Sequence, residues 1–265
     1  MIQSLNLPKD YISPSQLNAY IDCPFKYYLR YVQGLKIPPG SNLTFGSAYD
    51  DAMNAHYSQK IKDGVGLTVK QTMEVFASGV DKRKDETVWD VGSEDDDKDS
   101  ADKQKDDGVK LIDEYFKVLE PTVYPATVQD SRTIQIGAGF NLAFKVVTDL
   151  KTKDGVIVDN KTARRKEKEI NDRYFLQVVS YAAVDTAATS VRLDYAVRKK
   201  VPEVYSLSLN PTSKDFQLLR TQTAQVLNGI SHRVYPVNRR SMLCSRRLCG
   251  FWEICERERG GKVKP

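Results

Sequence analysis

Two apolar, β-branched runs that flank a short charged stretch constrain the fold of this chain most strongly. They occupy residues 140–150 (FNLAFKVVTDL) and 155–161 (GVIVDNK). Such runs favour β-strands, and Gly155 can take the positive φ that a tight turn needs. The pattern therefore predicts an antiparallel hairpin. If the loop consists of the three residues that end at Gly155, Asp149 and Asp159 face each other directly, with Cβ atoms about 5 Å apart.

Two carboxylates in that arrangement would repel each other unless a cation lay between them. Mg²⁺ is a natural candidate, because it takes oxygen ligands and is commonly held by one or two carboxylates together with substrate phosphate. Lys161 lies two residues beyond Asp159, so strand alternation returns its ammonium to the same face of the sheet. There it could stabilise charge that develops at a phosphate.

An acidic residue two positions before a lysine also arises by chance in a chain with 40 Lys and Arg and 35 Asp and Glu residues. In that case Asp154 or Lys151 would simply be charged residues of a turn.

An amphipathic helix is predicted next, over residues 172–187 (DRYFLQVVSYAAVDTA). Asp172 is a residue type that favours the N-cap, and apolar residues recur at helical spacing. Gln177 and Tyr181 are four residues apart and therefore share one face of the helix. Beside the sheet they could present an amide and a phenol to a bound phosphate or to Lys161. The alternative is structural, with Tyr181 in the core and Gln177 capping a neighbour.

These residue types follow one another in an order that is typical of one group of enzymes. The residues are Asp149, the run Asp159-Asn160-Lys161-Thr162, and Gln177 followed by Tyr181. Together they resemble the RecB-type branch of the PD-(D/E)XK nuclease superfamily, whose members carry an Asp, a D-x-K-T strand and a Q-x3-Y helix. The resemblance implies an α/β fold with a restriction-endonuclease-like core, in which helices flank a central mixed sheet.

The resemblance also implies a function. It implies a metal-dependent DNA nuclease, an exonuclease preferring single strands, that hydrolyses phosphodiester bonds in recombination, repair or phage DNA metabolism. By the same carry-over, Mg²⁺ or Mn²⁺ is bound by Asp149, Asp159 and the backbone carbonyl of Asn160. The resemblance assigns the catalytic roles to Lys161, Gln177 and Tyr181. A relative that binds DNA without cutting it is the alternative.

One further metal ligand of the family differs in this chain. After the run Phe45-Gly46-Ser47-Ala48, the RecB-like pattern places a metal-binding His, and the matching position here is Asp50. The carboxylate of Asp50 can still offer an oxygen to Mg²⁺ or Mn²⁺. His56 lies six residues further on, about 240° round a helix from Asp50. It is therefore expected to be a surface or packing residue.

The chain has four cysteines, one near its start and three close together near its end: Cys23, Cys244, Cys249 and Cys255. Four thiolates can hold a [4Fe-4S] cluster or a Zn²⁺ ion, whereas two disulfides would suit a secreted chain. The first residues lack the apolar core of a signal peptide, so a reducing, cytoplasmic location and a metal site are expected.

The cysteine arrangement resembles that of iron–sulfur RecB-like nucleases, such as the AddB nuclease domain and the CRISPR adaptation nuclease. The terminal spacing here is Cys-x4-Cys-x5-Cys, where the commoner pattern is Cys-x2-Cys-x5-Cys. The resemblance implies a [4Fe-4S] cluster that ties the two ends of the chain together. Zn²⁺ remains the alternative, in a nucleic-acid-binding module without catalysis.

The remaining sequence predicts a single nuclease domain over residues 1–265. The run Ser13-Pro14-Ser15-Gln16 is a capping box with Pro at the first helical position. It predicts a helix that kinks at Cys23-Pro24. Residues 240–258 are expected to bind the cluster and to pack against residues 13–30. Residues 81–107, rich in Asp, Lys and Glu, are expected to form an acidic, flexible insertion. No apolar stretch is long enough to span a bilayer.

Charge bears on the partners of the protein. The formal net charge is +5, and basic runs lie at residues 164–166, 198–200, 239–240 and 246–247. They could line a groove that follows phosphates, or each could be an ordinary solvated face. DNA, as single strands or duplex ends, is expected as the partner because of the site rather than the charge. A recombination or replication protein is a further expected partner by analogy, and the sequence carries no signal for an oligomeric state.

Overall fold

The structure is a computed structural model that describes residues 10–89, 99–135 and 142–265. Within these ranges the helices are α1 (Pro14–Asp22), α2 (Pro24–Tyr27), α3 (Ser41–Asp63), α4 (Val69–Asp81), α5 (Ala101–Val118), α6 (Asp172–Val184), α7 (Ser213–Ser231) and α8 (Trp252–Arg259). The strands are β1 (Tyr11–Ile12), β2 (Pro125–Gln135), β3 (Ala143–Thr152), β4 (Val156–Ala163), β5 (Ser190–Val197) and β6 (Glu203–Leu209). A π-helical turn, Tyr28–Val32, extends α2. None of these helices is both long and apolar enough to cross a membrane.

Strands β2 to β6 lie side by side in chain order and form a mixed sheet. Strand β4 is parallel to β5, to which α6 connects it, whereas the pairs β2–β3, β3–β4 and β5–β6 are antiparallel. Strand β2 pairs along the whole of one edge of β3. On the other edge, the short β1 pairs with the first residues of β3, and the start of β4 pairs with its last residues. The expected α/β fold, with a central mixed sheet flanked by helices, is confirmed.

Helices cover both faces of the sheet. On one face, α1, α6 and α7 pack through apolar side chains such as Leu17 and Val178. On the other face, α3, α4 and α5 pack through side chains such as Phe45. Ile157 belongs to the first core and Val158 to the second. Because both faces of β4 are buried, its first residues form an apolar run rather than an alternating one.

The predicted hairpin between β3 and β4 is confirmed. Its turn is closed by a hydrogen bond from the Gly155 backbone N–H to the Thr152 carbonyl (3.0 Å), and Gly155 has a φ of +88°. The two strands pair in the register that places Asp149 opposite Asp159. The start of the first predicted strand, at residue 140, lies outside the described residues.

The acidic insertion is shorter than the sequence predicts. Helix α5 begins at Ala101, so the last residues of the expected insertion, 101–107, are helical. Composition alone misled that prediction, because the charged side chains lie on the outer face of an amphipathic helix whose inner face buries Gln104 and Leu111. Residues 90–98, which include the most acidic run, lie outside the described residues.

Two other helix boundaries concern the site. The N-cap of α6 is Asn171, whose side chain accepts from the Arg173 backbone N–H, rather than Asp172 as predicted. Cys23 adopts an extended conformation (φ −164°, ψ 107°) and separates α1 from α2. The predicted break before Pro24 is therefore confirmed, and it leaves the Cys23 thiol at the junction of two helices.

Candidate active site

Strands β3 and β4 separate where Asp149 and Asp159 face each other. Strand β4 stays paired with β5 over its 8 residues. In the described part of the chain, its ladder with β3 ends at the pair Leu150–Val158. At the next position the backbone N–H of Asn160 donates to Asp149 Oδ2 (3.3 Å). A carboxylate thus replaces a backbone partner, and a cleft opens beside it.

Helix α6 lies over this cleft and holds Asp159. Tyr181 donates its phenolic hydrogen to Asp159 Oδ1 (2.5 Å), and Gln177 Nε2 donates to the same oxygen (3.3 Å). Gln177 also donates to the Tyr181 hydroxyl (2.5 Å). Lys161 forms an ion pair with the other oxygen of Asp159. The two helix residues therefore contact the carboxylate rather than Lys161. Helix α6 packs on β3 and β5, on either side of β4, and this places their side chains at Asp159.

The site holds more carboxyl groups than positively charged groups. Burial, and then the nearby Asp159, raise the pKa of Asp149. Burial, and then Asp149, raise the pKa of Asp50 on α3 to about 8. Burial disfavours the charge on Lys161, but Asp159 and Asp149 outweigh this penalty and raise the pKa of its ammonium. Three carboxyl groups from β3, β4 and α3 therefore share the ammonium of Lys161, and a divalent cation would relieve their repulsion.

The oxygen atoms in the cleft fit a divalent cation. Asp159 Oδ2 is buried and, among the described residues, accepts no hydrogen bond although Lys161 lies in ion-pair contact with it. No three His, Cys, Asp or Glu side chains of the described chain form a complete cage for a metal ion. Mg²⁺ needs no such cage, because one or two carboxylates, water and substrate phosphate commonly complete its shell.

Binding of a divalent cation is expected to stabilise the protein more at high pH than at low pH. The raised pKa values of Asp50 and Asp149 mean that the folded protein holds protons which the unfolded chain has lost. The contribution of these groups to stability therefore falls as pH rises from about 4 to about 8. A cation binds the ionised carboxylates and offsets that loss. The rise in melting temperature caused by Mg²⁺ or Mn²⁺ should be larger at about pH 8 than at about pH 5.5.

Asp149→Asn provides the control for that measurement. It should remove most of the cation-dependent rise at the higher pH while keeping the fold. A rise of equal size at both pH values, or one that persists in Asp149→Asn, would contradict a cation site between these carboxylates.

A glycine allows α3 to bring Asp50 close to the cleft. A Cβ atom on Gly46 would lie 3.3 Å from Thr162 Oγ1 on β4, which is tighter than an ordinary van der Waals contact. Asp50 follows one helical turn later, and therefore projects from the same side of α3. The close approach of α3 and β4 at Gly46 thus sets the distance between Asp50 and the carboxylates of the sheet.

All four cysteines line one cavity between α2 and the end of the chain: Cys23, Cys244, Cys249 and Cys255. All four are free thiols. Phe25 and Leu29 from the beginning of the chain pack there against Phe251 and Cys255. Burial, with the neighbouring thiols adding to it, raises the pKa of Cys249 and of Cys255. The donor set suits a thiolate-ligated group, although no three of the described cysteines form a group that could hold a single metal ion.

Two of the four basic runs, at residues 164–166 and 198–200, form ion pairs within the protein. Arg164 and Arg198, at the ends of β4 and β5, both pair with the buried Asp99. Lys166 and Lys199 both pair with Glu203. For these four side chains, the expectation that they could line a phosphate groove is corrected, because they are paired within the protein. Asp99 lies 65 and 99 positions from the two arginines, so sequence spacing could not show this neutralisation.

Tyr174 belongs to the site although the sequence analysis did not single it out. The Nζ atom of Lys161 lies 5.1 Å from the centre of the Tyr174 ring. The signal was present, because Tyr174 stands three residues before Gln177 and therefore on the same face of α6. His56 is buried and bonds to the Leu67 carbonyl (3.0 Å) and to Glu120 (3.2 Å), so it is the packing residue that one of the two expectations described.

Comparison with known proteins connects this geometry to a family. A family model described as the PD-(D/E)XK nuclease superfamily matches residues 11–256. The chain is similar to a crystal structure described as a "putative exonuclease" from Eubacterium rectale, with a TM-score of 0.62 and 13% identity over 97% of this chain and 90% of that chain. At this identity the likeness shows a shared fold. The structure of SSO0001 aligns with a TM-score of 0.38 and 13% identity over 91% of this chain and 95% of that chain. This TM-score is too low to indicate a shared fold. No curated protein sequence matches.

Proposed function

The chain belongs to the PD-(D/E)XK nuclease superfamily, and on this premise we propose that it is a Mg²⁺- or Mn²⁺-dependent exonuclease that acts on DNA and prefers single strands. The observation that carries the proposal is the cleft between β3 and β4, because it combines facing carboxylates, Asp149 and Asp159, with Lys161. Metal-dependent phosphodiester hydrolysis near neutral pH uses those parts, namely a cation site and a positive group beside the phosphate. The name of the Eubacterium rectale protein agrees with an exonuclease.

The ligands in this proposal come from three elements. Asp149 on β3 and Asp159 on β4 would hold the cation together with the backbone carbonyl of Asn160, and Asp50 would join them from α3. When bound, the cation lowers the pKa of water and polarises a phosphoryl oxygen, so that hydroxide is available near neutral pH. The excess of carboxyl groups in the cleft supports this assignment. Among the described residues, Lys161 is the positive group that lowers the pKa values of Asp50 and Asp149.

The other residues of the site position these ligands and the phosphate. Tyr181 and Gln177 fix the orientation of Asp159 through its Oδ1 atom, which leaves Oδ2 directed into the cleft. Lys161 is charged because its carboxylate neighbours raise its pKa. Its ammonium would approach a non-bridging phosphate oxygen and stabilise the charge that develops during attack. The Tyr174 ring lies beside the same ammonium.

The cysteines have a separate, structural part in the proposal. Cys23, Cys244, Cys249 and Cys255 would hold a [4Fe-4S] cluster that joins the two ends of the chain, with Zn²⁺ as the alternative group. The convergence of all four thiols on one cavity supports this assignment. A thiolate-held group suits a reducing cytoplasm. DNA recombination, repair or phage replication would then supply both the substrate and any protein partner.

Cleavage of labelled DNA tests the proposal. The purified protein should shorten 5′-labelled single-stranded DNA when Mg²⁺ or Mn²⁺ is present, and should be inactive with EDTA. Asp159→Asn should abolish cleavage, whereas Asp154→Asn in the exposed hairpin turn should not. A ladder that steps in from one end would support an exonuclease, and early internal fragments would contradict that part. Protein that binds DNA but cuts it with neither metal would overturn the enzyme in favour of a DNA-binding relative.

A larger side chain at position 46 is expected to lower the nuclease activity by displacing Asp50. In Gly46→Val, the added side chain meets Thr162 and pushes α3 away from β4. We expect a loss of about 10- to 100-fold in the rate of DNA hydrolysis, because small displacements of catalytic groups have effects of this size. Gly40→Ala at the start of the same helix is the matched control, since a Cβ there meets no atom within 4 Å. Equal rates for the two variants would show that the spacing of α3 does not matter.

A further inference from the structure

A groove with a volume of about 670 Å³ runs along the outside of the protein beside α6. Its walls come from α1, from α2 and its π-helical extension, from the first half of α6, and from α7. Asn18 on α1 donates to the backbone carbonyl of Arg173 on α6 (2.8 Å) and fixes the distance between these two walls. The groove is therefore built by elements that the core holds in place.

The inner end of the groove reaches the candidate active site. Gln177 lines the groove, and its amide donates to Asp159. Tyr174 also lines it, and its ring lies next to the Lys161 ammonium. A chain molecule lying in the groove would therefore pass directly from these two side chains to the carboxylates of the cleft.

The groove offers cations that form no ion pair with any acidic group of the described residues. Lys26, Arg30 and Arg173 line it, and none of the three forms an ion pair within the described ranges. Arg30 instead lies over the Tyr31 ring, with its guanidinium carbon 5.4 Å from the ring centre. Arg164 and Arg198, by contrast, are already paired with Asp99.

Apolar and aromatic surface accompanies these cations. Ile21 and Leu218 line the groove with 43% of each side chain exposed, and Tyr31 and Phe175 line it as partly exposed rings. Asp22 and Asp172 lie on the same walls, so the cations exceed the acids by only one. A purely electrostatic ligand is therefore a poor match, whereas a ligand that has both anionic groups and flat apolar faces fits well.

We propose that this groove binds single-stranded DNA, with its phosphates near Arg30 and Arg173 and its bases against the apolar and aromatic side chains, and leads it to the Asp149–Asp159 cleft. Unpaired bases expose faces that can lie on rings, whereas the bases of a duplex are stacked inside the helix. The proposal rests on the proposed function, because the strand it holds is the substrate of that cleft. It adds the path by which the strand arrives.

Charge reversal in the groove tests the proposal. The probe is a fluorescein-labelled oligothymidylate, and its binding is followed by fluorescence anisotropy in EDTA, so that no cleavage step enters. Arg30→Glu/Arg173→Glu should weaken binding by at least about tenfold and reduce the slope of log affinity against log salt by about 1.4, because each lost phosphate contact removes about 0.7 from a single-strand slope. Both side chains are exposed, so the melting temperature should not change.

Lys62→Glu/Lys70→Glu is the matched control. It changes the net charge equally, but these exposed residues lie on α3 and α4, on the other face of the sheet. Ile21→Ser/Leu218→Ser should weaken binding several-fold without changing the salt slope. The proposal is overturned if the arginine variant keeps wild-type affinity and salt slope, if the control loses as much affinity, or if a duplex of the same length depends on the two arginines as strongly.

A small substrate separates failure of the groove from failure of the active site. The p-nitrophenyl ester of thymidine 5′-monophosphate is short enough to occupy the cleft alone. With Mn²⁺, Arg30→Glu/Arg173→Glu should hydrolyse it at the wild-type rate, while single-stranded DNA is cut more slowly at limiting concentration. If wild-type protein hydrolyses neither substrate, the proposed function fails, and the anisotropy measurement still decides the groove.

Discussion

Lys161→Met is expected to lower the rate of DNA hydrolysis about 10³-fold, because removing one group that stabilises transition-state charge has effects of roughly this size. Methionine keeps most of the length of the side chain but removes the ammonium that pairs with Asp159 and lies over the Tyr174 ring. The loss should lie in the chemical step. Single-turnover rates with Mn²⁺ and excess enzyme measure that step directly.

The affinity for Mn²⁺ distinguishes this role from a purely structural one. Lys161→Met removes an ammonium that competes with the metal for the carboxylates of Asp149 and Asp159, so it should bind Mn²⁺ at least as tightly as wild type. Lys153→Met in the exposed β3–β4 turn is the matched control and should change neither quantity. A rate within threefold of wild type, or a loss of activity that follows a loss of metal, would contradict a catalytic lysine.

Cys255→Ser is expected to remove the brown iron–sulfur colour of anaerobically purified protein and to lower its melting temperature by at least about 10 °C, since loss of a structural metal group removes folding energy. Cys255 is buried and packs with Phe25, Leu29 and Phe251, where the two ends of the chain meet. Loss of the bound group would therefore loosen the contact between α2 and α8.

Met242→Ser is the control for the cysteine variant, because it lies in the same terminal segment and is 81% exposed. It should keep both the colour and the melting temperature. Colourless wild-type protein with one equivalent of zinc would replace the iron–sulfur cluster by the zinc alternative. Wild-type protein that contains neither metal, with an unchanged melting temperature in Cys255→Ser, would contradict any metal bound by these thiols.

The sequence predicted those parts of the fold that depend on local chemistry. Gly155 can adopt a positive φ at no steric cost, and this fixes both the position of the hairpin turn and the register that sets Asp149 opposite Asp159. The spacing of Gln177 and Tyr181 likewise fixes their common face on α6. The partner of these two residues could not be derived in the same way, because it depends on how α6 packs on the sheet.

Contacts between distant parts of the chain explain what the sequence did not reveal. Asp99 neutralises Arg164 and Arg198, from which it is separated by 65 and by 99 positions in the chain. The acidic composition before residue 108 hid the start of α5, because only the buried inner face shows that this segment is helical. Asp50 was named through the resemblance at the run 45–48, but its distance from the cleft depends on the close approach of α3 to β4 at Gly46.

A crystal structure of the protein soaked in Mn²⁺, with anomalous scattering recorded for manganese, tests the central claim most directly. The account predicts an anomalous peak in the cleft where β3 and β4 separate, within coordination distance of Asp149, Asp159 and the backbone carbonyl of Asn160. Well-ordered side chains in that cleft with no manganese peak, or manganese bound only elsewhere, would contradict it.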